Sequence, residues 1–446
     1  MHPLRNTILD SIKVDIGEMV EEGHDRTALL AELDRAVAEG SVDALMELQE
    51  ELWRRPSPPD FAYDEPSDWE SISATFPHPD SHARFAGTDE ELADRLHAAW
   101  LGRCVGCQLG KPLEGTKWPD KMRETLEFVG SWPLVDYINP VPEGATDIPD
   151  TDFCKSERKN GWARGRFDAA LADDDLNYAM TGQLTLEKFG VEFTSEQMMD
   201  EIVTLTPFKS MAAAAKNMCK NRLWGMTAPT TAVFGNPWRQ SLGAAIRCDP
   251  FGWAAPANPA LAARMNHVSG VCSQTRNGVY SGIFFGVLLA DTLAHGDPIQ
   301  AIETATLYVP PKSRFAEMLR FVKDICRAEP DWEEANAAIY AMYPTEAEAF
   351  NHSIPNAAIV IMSLLKGEGD FTRTLGISVM AGMDTDCNGA TAGSIMGCAL
   401  GTRGIPEHWT KPLNDTMRTT LAGMPELRIS EVAKRMYEVA RHNARR

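Results

Sequence analysis

The 446-residue sequence predicts an all-α fold: a compact multi-helix body carrying a small helical appendage at its N-terminus. Three observations carry this expectation. Apolar residues recur three and four apart through most of the chain, capping and stop signals bracket those stretches, and period-two alternation of the kind strands need is hard to find.

Residues 1–53 predict two or three short amphipathic helices. Ile8, Ile12, Ile16, Met19 and Val20 form one apolar stripe, and Leu29, Leu30, Leu33 and Val37 form the next. The acids Glu21, Glu22, Glu32 and Glu39 are expected on solvated faces. Residues 54–87 change character, with Pro56, Pro58, Pro59, Pro66, Pro77 and Pro79 set among serine, aspartate and aromatic residues. That text predicts an extended connector, held to the body by Phe61, Tyr63 and Trp69.

The main domain is expected over 88–446. Thr88 and Glu91 make a capping box, and Leu92, Leu96, Ala99 and Trp100 continue a helix expected to stop at Lys111-Pro112. A second helix is expected from Asp174 to Phe189, stopped by Gly190, and Thr194 to Gln197 marks the next capping box. Further helices are predicted near 277–294, 312–327, 354–365, 388–400 and 427–443. Two helices carry glycines four apart, at Gly102, Gly106 and Gly110 and at Gly389, Gly393, Gly397 and Gly401. Each interior glycine costs a helix about 1 kcal/mol relative to alanine, so such stripes imply close backbone packing that repays the loss.

The formal charge of −20 argues against generic nucleic-acid binding, which needs a basic surface. No window approaches eighteen uninterrupted apolar residues, and the N-terminus carries acids where a signal peptide has its apolar run, so no membrane association and a cytoplasmic location are expected. Nine dispersed cysteines do not form a disulfide framework, and Cys104 and Cys107 read as small packing residues.

Chemistry concentrates in two acidic clusters, Asp173-Asp174-Asp175 and Asp384-Thr385-Asp386, each set against an apolar or glycine-striped helix. Either cluster alone reads as a helix cap with favourable dipole charge. Together they supply hard oxygen ligands suited to two divalent ions, Mg²⁺ first, with Mn²⁺ or Ca²⁺ as alternatives. Glu114, in the loop after the first glycine helix, is either a solvated acid or a group brought beside the metals to orient or activate water.

The run Gly102-Arg103-Cys104-Val105-Gly106-Cys107-Gln108-Leu109-Gly110-Lys111-Pro112-Leu113-Glu114, the D-D-D-L-N-Y run from Asp173 and the G-M-D-T-D-C-N-G-A-T-A-G run from Gly382 together resemble the ADP-ribosylglycohydrolase superfamily over roughly residues 90 to 440. The resemblance implies a nearly all-α fold with two Mg²⁺ ions in a central cleft. It implies metal ligation by Asp173 (in the place of a threonine), Asp174, Asp175, Asp384 and Asp386, and catalytic roles for Glu114, Asp174 and Asp386. Arg247, Gln274, Asn277 and Tyr280 are the corresponding substrate-contact candidates. Cys387 replaces a usual hydroxyl residue and Gln274 a common histidine, which leaves the exact substrate open, while nearby His267 reads as an ordinary surface or core histidine.

The implied reaction is hydrolysis at the anomeric carbon of a ribosyl or ADP-ribosyl group, carried by a small molecule or a modified macromolecule. Alternatives are a nucleoside or small-metabolite N-glycosidase and a non-catalytic binding relative. The sequence is also compatible with a homo-oligomer.

Overall fold

The computed structural model describes residues 5–76, 84–116, 118–343 and 350–444. Pro77 and Pro79 of the connector lie outside them. Helices make up about two-thirds of the chain, and its one sheet among the described residues is an antiparallel pair of three-residue strands, Thr416–Arg418 and Glu426–Arg428.

Two helices form the spine of the body: the first glycine helix, Asp89–Gly110, and the second, Thr385–Leu400. They run antiparallel with backbone against backbone. A methyl group added at Gly106 would fall on the Gly389 carbonyl oxygen, and one added at Gly110 on the Thr385 carbonyl oxygen. The Thr385 hydroxyl also donates to the Gly110 carbonyl at 2.8 Å. Antiparallel packing sets the C-terminal end of the first helix against the N-terminal end of the second, so Lys111 and Glu114 emerge beside Asp384 and Asp386. Gly401 does not continue the stripe as expected. The helix ends at Leu400, where Gly401, at φ 66° and ψ 178°, takes the chain off the helical path in a conformation open to glycine.

Other elements lie close to their expected bounds, as in Asp174–Phe189, Arg314–Ala328 and Ser353–Lys366. The helix expected near 277–294 runs Arg276–His295. It is long and apolar enough to cross a membrane by length and composition, but it is buried in the body along nearly all of its length. The last helix starts at Ile429, two residues later than expected, because Glu426–Arg428 pairs as a strand.

Residues Arg5–Glu21, Arg26–Glu39 and Val42–Arg54 form three helices with their own apolar cluster, built from residues such as Ile12, Ile16, Leu29, Leu33, Leu45 and Leu52. Leu30, expected within that stripe, is exposed. The acids of this unit are not all solvated as expected. Glu22 is buried and lies 3.4 Å from Arg239, which also pairs with the fully buried Asp15. Glu21 contacts Arg314 at 3.3 Å and His352 at 3.0 Å. The amphipathic pattern could not reveal this, since a carboxylate facing water and one facing an arginine look alike in sequence.

The connector clings to the body. Phe61 lies under the guanidinium groups of Arg276 and Arg314, and Trp69 packs on His267 with ring centroids 5.3 Å apart. Removing residues 1–53 would leave Arg239 buried without Asp15 and Glu22. The shortened chain is therefore expected to melt at a lower temperature than the full chain by scanning calorimetry, and an unchanged transition would show that these contacts contribute nothing to stability.

Candidate active site

A cleft of about 760 Å³ opens where the two glycine helices meet the N-terminus of Asp174–Phe189. Lys111, Glu114, Asp173, Asp174, Asp384 and Asp386 line it, with Trp162, Tyr178 and Cys387. Three segments distant in sequence thus deliver their carboxylates to one place.

Each is positioned by local structure. Asp173 caps its helix, its Oδ1 accepting the Asp175 backbone N–H at 3.2 Å. Asp384 sits after the left-handed residues Gly382 and Met383, and its backbone N–H donates to Asn356 Oδ1 at 3.1 Å. Asn356 Oδ1 also receives the Asn388 side-chain amide at 2.9 Å, so one side chain fixes both ends of this turn. Lys159 donates to the Glu114 backbone carbonyl and holds the loop, leaving the Glu114 carboxylate with no hydrogen bond among the described residues.

Asp175 lies behind the cleft wall. Arg103, fully buried, pairs with its Oδ1 at 3.0 Å and with Asp249 at 2.8 Å, and donates to the Asp175 and Ile246 carbonyls. Asp175 Oδ2 and Asp386 Oδ1 are buried and have no hydrogen-bond partner. Ligand atoms of Asp175, Asp386 and Cys387 lie within 4.8 Å of one another, as do those of Cys107, Asp173 and Asp175.

Crowding of like charge governs the electrostatics. Burial, and then the Asp384 and Asp173 carboxylates, push Glu114 up to about 7. Burial followed by its acidic neighbours raises Asp174 and Asp386 well above the carboxylate range, and burial raises Asp384. Asp173 goes the other way. Burial acts to raise it, but the Lys111 ammonium outweighs burial and holds it below the usual value. Burial, and then the Asp175 and Asp384 carboxylates, push the Cys387 thiol well up. A protonated thiol is a weak ligand for a hard cation.

The four substrate-contact candidates lie outside this lining. Arg247 is buried behind it, donating to the Ser269 carbonyl and the Ser273 hydroxyl at 3.0 Å each. Gln274 sits behind the wall residue Ser241, to whose hydroxyl it donates at 3.3 Å. Asn277 bridges Gln240 and the Phe315 backbone, and Tyr280 donates to the Pro66 carbonyl of the connector. His267, paired with the Ser67 carbonyl at 2.9 Å, belongs to the same connector contact. Lys111, Arg103 and Asn356 are the residues that sequence reasoning passed over. Lys111 stood in plain view three residues before Glu114, but with proline following it marked only a helix stop.

A solved structure described as an ADP-ribosylglycohydrolase-related protein complex aligns at 17% identity with a TM-score of 0.49, covering 79% of this chain and 99% of that one. No curated protein matches the chain. Residues 88–445 match the ADP-ribosylglycohydrolase family profile, a span that takes in every residue lining the cleft and leaves out only the N-terminal unit, its connector and the last residue. The chain belongs to the ADP-ribosylglycohydrolase family.

Proposed function

We propose that the protein is a metal-dependent hydrolase that cleaves the glycosidic bond of a ribosyl or ADP-ribosyl substrate. The observation that carries this reading is the meeting of Glu114, Asp174, Asp384 and Asp386 on one cleft wall. The donor set fits divalent ions of the Mg²⁺ type, because buried carboxylate oxygens left without donors, as at Asp175 and Asp386, are costly unless a cation reaches them. Asp174, Asp175, Asp384 and Asp386 are the residues that would hold two such ions. When bound, these ions supply Lewis acidity and a template for the ribose hydroxyls.

The chain's own groups then divide the remaining tasks. Glu114, pushed up to about 7 by burial and by Asp384 and Asp173, can take and return a proton near neutral pH, which suits a general base acting on water. The water oxygen bonds to the anomeric carbon, its proton passes to Glu114, and the electron pair of the broken glycosidic bond leaves with the aglycone. The Tyr178 and Trp162 rings give the cleft apolar wall area, which excludes bulk water around the sugar.

Calorimetric titration of Mg²⁺ into metal-free protein should show saturable binding. Asp384→Asn or Asp386→Asn should weaken it by at least about 10-fold, the scale of loss that even outer-shell changes bring at metal sites. Unchanged binding in both variants would sink the assignment. A panel of ribosyl and ADP-ribosyl substrates, scored for metal-dependent release of ribose or ADP-ribose, then identifies the leaving group and separates an enzyme from a binding relative.

A further inference from the structure

Asp173 differs from Asp175 and Asp386 in having both carboxylate oxygens already engaged. Its Oδ1 accepts the Asp175 backbone N–H and its Oδ2 receives the Lys111 ammonium. Asp175 and Asp386, by contrast, each keep one buried oxygen with no partner. Lys111 is equally fixed. It leaves the end of the first glycine helix in a single 3₁₀ turn with Pro112, is 7% exposed, and lies over the Trp162 ring with Nζ 4.8 Å from the centroid.

A metal ion that recruited Asp173 would set a divalent charge against this ammonium or displace it. Displacement would leave Lys111 a buried cation stripped of its anion. The oxygens lacking partners already lie elsewhere in the cluster and need no such exchange.

We propose that Lys111 and Asp173 form a permanent internal ion pair: Asp173 acts as helix cap and counter-ion without coordinating a metal, and Lys111 stands as a fixed monovalent charge in the cleft wall. This rests on the metal-dependent reading above and narrows the ligand set implied by the family motif, in which Asp173 occupies a ligand position.

The test is Mg²⁺ calorimetry on the full chain, comparing the wild type, Asp386→Asn, Lys111→Met and the double variant Lys111→Met/Asp173→Asn. The double variant removes both charges together, so the net charge of the cleft is kept, and asparagine keeps an oxygen that can cap the helix. It should bind Mg²⁺ with wild-type stoichiometry and with Kd within about 3-fold, whereas Asp386→Asn loses at least about 10-fold. Lys111→Met alone should bind more tightly than wild type, since it leaves an extra uncompensated carboxylate. If circular dichroism shows the methionine variants misfolded, Lys111→Gln/Asp173→Asn repeats the comparison with a polar pair. Loss of a binding site, or a weakening of about 10-fold or more, in a folded double variant overturns this inference alone. Absence of Mg²⁺ binding by the wild type overturns the metal-dependent reading and this inference with it.

Discussion

Glu114→Gln is expected to cut turnover by roughly 10²–10⁴-fold, the usual yield of a positioned general acid or base, while fold and Mg²⁺ affinity stay near wild type. The reasoning is geometric first. The Glu114 side chain lines the cleft beside the aspartates, yet its loop is fixed through the backbone carbonyl, to which Lys159 donates. Glutamine keeps the volume and the loop and removes only the capacity to take a proton. Because burial and the Asp384 and Asp173 carboxylates disfavour its charge, replacing it with a neutral amide relieves repulsion and should not unfold the protein. The measurement is kcat on the ribosyl substrate that proves active, alongside circular dichroism and Mg²⁺ titration. Near wild-type turnover would remove Glu114 from the chemistry.

Arg103→Met should produce the largest loss of stability of any single change near the cleft, about 3–5 kcal/mol, as expected for breaking a buried ion pair from one side. Arg103 is fully buried, and its guanidinium joins Asp175, Asp249 and two backbone carbonyls. Methionine fills most of the volume but strands both carboxylates. Lysine should fare little better, since one ammonium cannot span the same acceptors. The sign of the pH dependence follows. Burial already raises Asp175 above its unfolded value even with Arg103 opposing, and removal of Arg103 raises it further. A carboxyl so raised favours the folded state in its protonated form, so the deficit should shrink as pH falls from neutrality towards about 5. Urea unfolding of metal-free protein at several pH values checks this, and a deficit that grows on acidification would show that Asp175 is not the stranded group.

Much of this was legible in the chain. Helical periodicity and the capping boxes at Thr88 and Thr194 located the elements, because an amphipathic helix writes its buried face directly into the spacing of its apolar residues. The glycine stripes announced close packing, and the aspartate clusters announced where charge gathers. What stayed hidden was pairing across space. Arg103 read as one more residue of a helical run, and Glu21 and Glu22 as solvated acids, because nothing local distinguishes a buried charge with a distant partner from an exposed one. Arg247, Gln274, Asn277 and Tyr280 follow the same rule. Polar and aromatic residues close to a family-like segment suggest substrate contact, but here they lie outside the cleft lining and most of their polar atoms meet backbone, connector and neighbouring side chains, while Arg247 Nη1 has no partner.

The backbone contact between the two glycine helices also constrains how the cleft can change over evolutionary time. Where side chains separate two helices, their spacing can drift by small compensating swaps of volume. Here the gap is set by the thickness of the peptide itself, and Gly106 and Gly389 admit no Cβ without displacing a carbonyl. Sliding by one turn would shift Glu114 relative to Asp384 by about 5.4 Å and dismantle the site in one step. The separation of these groups therefore behaves as an inherited constant. Changes in substrate choice are expected to enter through lining residues away from this axis, such as Lys209, Ser210, Ala212, Phe350 and Asn351.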